Sequence, residues 1–107
     1  MIKVIFILYR KEGMSGDEFR DYWKNIHAPI AKRIPGFRGY VQNHALPDAE
    51  TGEEPEYSGF ADLYFDSPEA LQAGLDSPEG QETLADVPNF CDPERTTSVV
   101  VEEVKVI

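Results

Sequence analysis

The feature of this sequence that most constrains its fold is the near absence of polar residues from Ile2 to Tyr9 (IKVIFILY). β-Branched and aromatic residues dominate this run, as is typical of a strand. A strand that is apolar at nearly every position is usually covered on both of its faces. The sheet that contains this strand therefore needs two layers of cover.

The next segment predicts a helix with a kink. The run from Ser15 to Glu18 is a capping box, which begins the helix. Pro29 predicts a kink or break near His27 to Ile30, because its ring clashes with the carbonyl four residues earlier. An apolar stripe follows helical spacing and consists of Phe19, Tyr22, Trp23, Ile26 and Ile30.

The remaining segments complete an alternation of strands and helices. Residues 39–46, 57–65 and 96–107 predict three further strands, and residues 47–56 predict a solvated, mobile acidic loop. Two short helices are expected at residues 68–75 and 78–84, with Ser67 as the cap of the first.

This order is the split βαβ, or ferredoxin-like βαββαβ, pattern of an α+β protein. It predicts one four-stranded antiparallel sheet with both helices on one face, and residues 1–107 are expected to form a single domain. The last strand is apolar on both sides through Val99 to Val101, so the face without helices is apolar as well. A bare apolar face needs a partner, and a twofold homodimer is the commonest solution.

Composition and charge exclude several function classes. Twenty acidic against ten basic residues give a net charge of −10, which disfavours nucleic acid and membrane surfaces as partners. Cys91 is alone, so the chain forms no internal disulfide. The start of the chain lacks the pattern of a signal peptide, so a cytoplasmic location is expected. Neither a phosphate-binding glycine loop nor a dinucleotide motif is present, and no cofactor is expected.

Two residues are the leading candidates for catalysis. His27 follows Trp23 by four residues and lies beside it on the helix, where it either moves a proton near neutral pH or simply caps the kink. Asp62 interrupts an apolar strand and shares a face with Phe60 and Tyr64. Since a buried carboxylate is costly unless paired, Asp62 either orients His27, binds the substrate, or faces a hydrated end of the sheet.

Five further side chains are candidate ligand-binding groups, and these are Tyr9, Trp23, Tyr64, His44 and Phe60. The two phenols can donate hydrogen bonds to a ligand carbonyl, although amphipathic core tyrosines are commoner. His44 shares a face with Tyr40 and Gln42, and either lines the mouth of the pocket or lies at the surface. His27, His44 and Asp62 lack the close spacing of metal-ligand pairs, so no metal is expected.

Several motifs between Leu8 and Phe37 resemble the EthD family. They comprise a strand that ends in Tyr9, then Gly13-Met14-Ser15, then the pattern Phe-x-x-Tyr-Trp-x-x-x-His-x-Pro-aliphatic from Phe19 to Ile30. The segment from Ala61 to Ser67 fits more loosely.

The resemblance implies a dimeric α+β barrel with a small-molecule pocket in each subunit, and it makes His27 the natural site candidate. EthD-like proteins are associated with ether degradation in bacteria. Relatives of the same barrel include monooxygenases, muconolactone-type isomerases, and polyketide cyclases or dehydratases. At the position of Asp62 the family often carries Glu, whose side chain is longer by one methylene.

Three functional hypotheses follow. The first is a cofactor-independent enzyme that oxidises, isomerises, cyclises or dehydrates a small hydrophobic carbonyl or ether-pathway compound. In it His27 moves a proton, Asp62 orients His27 or shares the proton transfer, and Tyr9 or Tyr64 stabilises an oxyanion. The second is a non-catalytic ligand-binding or accessory protein that uses the same pocket. The third is a structural dimer whose aromatic residues fill the core.

Overall fold

The computed structural model describes residues 1–107 and contains one four-stranded antiparallel sheet. In spatial order β2-β3-β1-β4, its strands are β1 (Ile2–Leu8), β2 (Gly39–His44), β3 (Gly59–Phe65) and β4 (Thr97–Glu102). Between β1 and β2 lie α1 (Gly16–Tyr22), a π-helical turn (Trp23–His27) and α2 (Ala28–Ala31). Between β3 and β4 lie α3 (Pro68–Asp76), α4 (Pro78–Asp86) and a 3-10 turn (Val87–Asn89).

This element order confirms the predicted ferredoxin-like α+β fold. The strands are somewhat shorter than predicted, and β4 ends at Glu102 instead of Ile107. None of the helices has the length and apolar character that crossing a bilayer requires.

The helices pack on only one of the two faces of the sheet. β3 alternates between buried and half-buried residues, and its buried members Ala61 and Leu63 face the helices together with Val4 and Leu8 of β1. The opposite face has no helix packed on it, and we call it the open face. By strand register it carries a patch of apolar side chains, namely Ile5, Ile7, Val41, Phe60, Val99 and Val101.

Side-chain caps begin the helices where the sequence predicts. The Ser15 hydroxyl accepts a hydrogen bond from the backbone N–H of Glu18, whose carboxylate accepts one from the N–H of Ser15. Ser77 ends α3 and also caps α4, so the predicted division of the second helical region is confirmed. These caps satisfy backbone groups that a helix end leaves unpaired.

The first helical region contains a wide turn just before Pro29. From Trp23 to His27 the backbone is π-helical, and the N–H of Ala28 donates to the carbonyl of Trp23, five residues earlier. Pro29 has no N–H, and its ring would clash with the preceding turn of a regular α-helix, so a wider turn accommodates it. The predicted irregularity is therefore present as a π turn, one turn earlier than expected.

This π turn changes which residues face the sheet. Four residues of a regular α-helix rotate about 40° beyond one full turn, so a four-residue repeat drifts off one face. The wider turn offsets that drift, and Phe19, Trp23, His27 and Ala31 are all buried. Ile26 is 49% exposed, so its predicted place in the apolar stripe is wrong.

The acidic loop between β2 and β3 is largely exposed but is anchored at Glu54. Arg20 donates to both carboxylate oxygens of Glu54, at 2.9 and 3.1 Å. Gly16 lies so close to this contact that a Cβ there would overlap the Glu54 carboxylate. Gly52, with a φ of 74°, forms a tight turn whose N–H donates to the carbonyl of Asp48.

A second close approach lies at Gly59, where the absence of a side chain lets the Trp23 ring pack against β3. A Cβ at Gly59 would overlap the indole and would also crowd the carbonyl of Asn43. The position of Trp23 over the sheet therefore requires glycine at this point of the strand.

We predict that Gly59→Ala lowers the free energy of unfolding by about 1–3 kcal/mol, the usual cost of overpacking a tight core. Urea unfolding followed by the fluorescence of Trp23, the single tryptophan, measures the change. Gly39→Ala is the matched control, because Gly39 is also a strand residue but meets the movable Tyr64 ring at 3.1 Å. Equal losses in the two variants would contradict the tight contact between Gly59 and Trp23.

Candidate functional site

A small cavity lies between the sheet and the helices. Its volume is about 30 Å³, and twelve of its fourteen lining residues are hydrophobic. A water molecule needs roughly 10–15 Å³ by the same measure, so the cavity holds about two waters. Polar groups at its wall include those of His27, Tyr40 and Thr83.

His27 is held at one ring nitrogen and free at the other. The residue is 6% exposed, and its Nδ1 lies 2.7 Å from Oδ2 of Asp86. Its Nε2 makes no hydrogen bond within the chain. Because every fully buried polar side-chain atom has a partner, the unpartnered Nε2 is not fully buried, and His27 is one of the residues that line the cavity.

Asp86 is held by three hydrogen-bond donors. Besides His27, the Tyr22 hydroxyl donates to Oδ1 at 2.7 Å and the Asn89 amide donates to the same oxygen at 2.9 Å. Burial raises the pKa of the Asp86 carboxyl, but the bonds from Asn89, His27 and Tyr22 outweigh it, so this pKa lies below its ordinary value. Asp86 is therefore an ionised acceptor with both oxygens occupied.

The surroundings of His27 favour its neutral form. Burial lowers the pKa of the imidazole, and the opposing effect of Asp86 does not cancel that shift. A neutral imidazole that donates to an ionised carboxylate carries its proton on Nδ1, so Nε2 carries an unshared lone pair. This protonation state is the one that a general base requires.

Three elements of the fold bring His27 and Asp86 together. The π turn directs His27 inward, the last residue of α4 is Asp86, and the 3-10 turn supplies Asn89. The fully buried Phe90 packs against the group, with its ring centroid 4.7 Å from that of His27 and 5.1 Å from that of Tyr22. The plane of the imidazole is thus set by packing as well as by hydrogen bonding.

The sequence pattern does not reveal the role of Asp86. This residue stands 59 positions from His27, at what resembles an ordinary acidic helix end before Pro88. Such a carboxylate is usually solvated. One signal is available, since the apolar Phe90-Cys91 pair just beyond it indicates that this connector is buried.

The prediction that Asp62 orients His27 is wrong. Asp62 stands between Ala61 and Leu63, which both line the cavity, so its own side chain lies on the open face. There its Oδ2 is 3.5 Å from Nζ of Lys3. Strand alternation groups Asp62 with the correct neighbours, but it does not say which face the helices cover.

Three other predicted site residues also lie away from the cavity, and these are Tyr9, Phe60 and Tyr64. The Tyr64 hydroxyl donates to Glu103 at 2.7 Å. Phe60 and Tyr9 both pack against Tyr57, at centroid distances of 5.6 and 6.1 Å. Their ligand-binding role stays a prediction, and it would require a ligand outside the cavity.

The structure places Trp23 in the cavity wall together with His27, and it places His44 against Trp23. Trp23 lines the cavity, and His44 stacks on its far side at a centroid distance of 4.4 Å. His44 is half-buried, its Nε2 lies 2.8 Å from Oε1 of Gln42, and it is not part of the cavity wall. Burial, followed by nearby positive charge, lowers the pKa of His44.

Tyr40 is a further wall residue, which the sequence pattern does not single out. The Gln42 amide donates to the hydroxyl oxygen of Tyr40 at 2.9 Å and to the carbonyl of Trp23 at 3.0 Å. The hydroxyl hydrogen of Tyr40 has no acceptor within the chain. Burial raises the pKa of Tyr40, so this wall residue carries a neutral hydroxyl that can donate a hydrogen bond.

Comparison with known proteins finds relatives in sequence and in fold. The family model described as EthD domain matches residues 11–94. An uncharacterised 11.0 kDa protein from the thcB-thcC intergenic region of Rhodococcus erythropolis is 32% identical over 72 residues, which cover 67% of this chain and 68% of that protein. The crystal structure of an EthD family protein from Bacillus halodurans is 26% identical, with a TM-score of 0.79, and the match covers 97% of this chain and 99% of that chain.

Two solved structures of lower identity share the fold alone. A dimeric ferredoxin-like protein of unknown function from Thermobifida fusca is 16% identical, with a TM-score of 0.67 over 94% of this chain and 88% of that chain. SnoaB, a cofactor-independent oxygenase from Streptomyces nogalater, is 11% identical, with a TM-score of 0.66 over 99% of this chain and 95% of that chain.

We predict that the free energy of unfolding falls as the pH drops below about 6.5, the ordinary pKa of histidine. Burial lowers the pKa of His27 in the folded state, so the unfolded chain binds more protons in this range and acid favours unfolding. Asp86 adds to the effect at lower pH, below its ordinary pKa of 3.8. Urea unfolding at a series of pH values measures the slope.

His27→Gln should flatten this slope, because it removes the buried group that resists protonation. His44→Gln is the control, since His44 is less buried and should account for a smaller part of the slope. A slope that is unchanged in His27→Gln would show that burial does not perturb this imidazole.

Proposed function

Since this chain belongs to the EthD family, we propose that it is an enzyme that acts on a small, neutral, hydrophobic carbonyl or ether-pathway compound, in which His27 takes a proton from a carbon next to a carbonyl group. The observation that carries this proposal is the unpartnered Nε2 of His27 at an apolar cavity, with Nδ1 held by Asp86. Asp86 thereby takes the orienting role that the sequence pattern suggests for Asp62.

The proposed step requires no cofactor. Nε2 of His27 takes a proton from a carbon next to the carbonyl group, so that the C–H bond breaks, an N–H bond forms, and the electron pair moves to the carbonyl oxygen. The ionised Asp86 then lies beside the newly charged imidazolium and stabilises it. The free hydroxyl of Tyr40 is a suitable donor to the enolate oxygen, and the apolar walls strengthen both interactions.

Proton removal is the step that the candidate reactions share. Return of the proton at another carbon isomerises the compound, attack on a second carbonyl cyclises it, loss of hydroxide dehydrates it, and reaction with dioxygen oxidises it. SnoaB, which has this fold, is described as a cofactor-independent oxygenase, and this favours oxidation.

A non-catalytic ligand-binding or accessory protein is the second candidate, and the small volume of the cavity favours it. The observed 30 Å³ is far below the roughly 300–1,000 Å³ of most ligand sites, so a substrate must displace wall side chains before it reaches His27. Product analysis separates the two candidates, because a binding protein returns its ligand chemically unchanged.

We predict that the protein accelerates deuterium exchange from D2O at carbons next to the carbonyl of neutral cyclic ketones and lactones, with 2-tetralone as the first probe. NMR measures the exchange. His27→Gln should lower the rate by about 100-fold or more, the usual contribution of a general base. Asp86→Asn should lower the rate and move the acidic limb of the pH–rate profile to lower pH, because Asp86 raises the pKa of His27.

His44→Gln and Asp62→Asn are the controls for this experiment. His44 stands behind Trp23 and Asp62 lies on the open face, so both variants should keep most of the wild-type rate. Full activity in His27→Gln would refute the proposed base. Saturable binding of 2-tetralone without exchange would favour the accessory role.

We also propose that two copies pack their open faces together as a dimeric α+β barrel, in line with the dimeric description of the Thermobifida fusca protein. Val41 and Val99 on this face are 44% and 47% exposed in one chain, although both are apolar strand residues. Among the polar groups of the face, Lys3 and Asp62 are already paired, so covering them costs less than burying separate charges.

We predict that Val99→Asp dissociates the dimer, because it brings two like charges into an apolar contact. Val100→Asp is the matched control, since Val100 is the next residue of β4, points to the other face and is 55% exposed. Sedimentation velocity at micromolar concentration distinguishes the two states. A monomeric wild type, or equal dissociation by both variants, would contradict this interface.

A further inference from the structure

A groove outside the cavity shares part of its wall. It has a volume of about 420 Å³ and lies between the end of α4 with the following 3-10 turn and the start of β4. Three side chains, Phe6, Leu84 and Val87, border both the groove and the cavity. These three side chains therefore form a shared wall, or partition, between the groove and the cavity.

We propose that the groove and the cavity form one two-part binding site for a neutral organic molecule, with its reactive end beside His27 and its larger body in the groove. This inference rests on the proposed function for the identity of the reactive end. The binding itself does not depend on catalysis.

The sizes of the two spaces support a shared ligand. The cavity has room for about two waters, which is too little for a ring, whereas the groove is within the roughly 300–1,000 Å³ range of small-molecule sites. The cavity includes His27 in its wall but is too small for a substrate, whereas the groove is large enough but does not reach His27. If the partition moves, the two spaces join and meet both requirements.

The partition is suited to opening. Leu84 is 36% exposed, and Phe6 and Val87 are half-buried. None of the three side chains has a polar atom, so no hydrogen bond restrains it. Rotamer changes of exposed side chains occur on the picosecond to nanosecond scale, and a shift of Leu84 and Val87 would join the two spaces.

The chemistry of the walls indicates an uncharged ligand. The groove is lined by apolar side chains, two prolines and the hydroxyl-bearing Thr96, Thr97 and Ser98, with no carboxylate, ammonium or guanidinium group. The chain as a whole has thirty residues with such groups. A charged ligand would find no counter-ion in this groove, and an anion would also be repelled by the net charge of −10.

Two fluorescent probes of nearly equal shape test this inference. N-Phenyl-1-naphthylamine is neutral, and 8-anilino-1-naphthalenesulfonate is the same ring system with one sulfonate. In buffer with enough salt to screen the net charge, the neutral probe should bind saturably and quench the emission of Trp23, which lines the cavity. The sulfonate should bind at least about tenfold more weakly, because its charge is unpaired in the groove.

A matched pair of leucine variants locates the binding. Leu84→Glu places a carboxylate in the partition and should weaken binding of the neutral probe at least about tenfold. Leu46→Glu makes the same charge change at a 74% exposed loop residue outside both linings, and should leave the affinity unaltered. If circular dichroism shows that Leu84→Glu does not fold, Ser98→Glu replaces it. Ser98 is an exposed residue of β4 that also lines the groove, so this variant should weaken binding of the neutral probe as well.

Several outcomes would overturn the two-part site. These are equal effects of the two leucine variants, or equal affinity of the wild type for both probes. A gain of probe binding on deletion of residues 104–107 would show that the exposed apolar C-terminal residues fill the groove. A gain of binding in Val99→Asp would show that a second copy fills it.

Deuterium exchange, measured alongside probe binding, distinguishes this inference from the proposed function. Probe binding as described, with no exchange on any compound, supports the two-part site and refutes the enzyme. Exchange that is unaffected by Leu84→Glu refutes the two-part site and leaves the enzyme.

Discussion

One missing N–H group, that of Pro29, determines how the first helical region presents its side chains. The wide turn before it gives His27 the buried place that a regular helix would give to a neighbour such as Ile26. If the imidazole were rotated outward, Asp86 would lose one of its three donors. The candidate site therefore depends on an irregularity of the backbone, and π turns are often found at functional sites.

The sheet separates two chemical environments that are adjacent in sequence. On the helix side, a neutral imidazole and a phenol border an apolar cavity. On the open side, Lys3 and Asp62 form an ion pair beside exposed valines. Because strand residues alternate, the strand side chains proposed to line the substrate site and those proposed for dimer contact lie on opposite faces of the sheet.

Local sequence patterns are sufficient to predict the fold, but of the pair His27 and Asp86 they predict only His27. Strand and helix positions follow from alternation, caps and prolines, which act over a few residues, and the capping box at Ser15 is an example. His27 is recognisable because it lies within a compact motif. Asp86 is not, since its burial results from the packing of α4 and Phe90 around a residue 59 positions away. A local pattern also does not predict that the side chain of Asp62 lies on the open face of the sheet.

The ion pair between Arg20 and Glu54 bears on where the chain can tolerate inserted residues. This ion pair ties the end of the acidic loop to α1, and the register of β3 is that of its ladders with β1 and β2. Extra residues near Gly52 would lengthen an exposed turn at small entropic cost. The loop is therefore a natural point for insertions, such as a peptide epitope, that leave the helix-side cavity undisturbed.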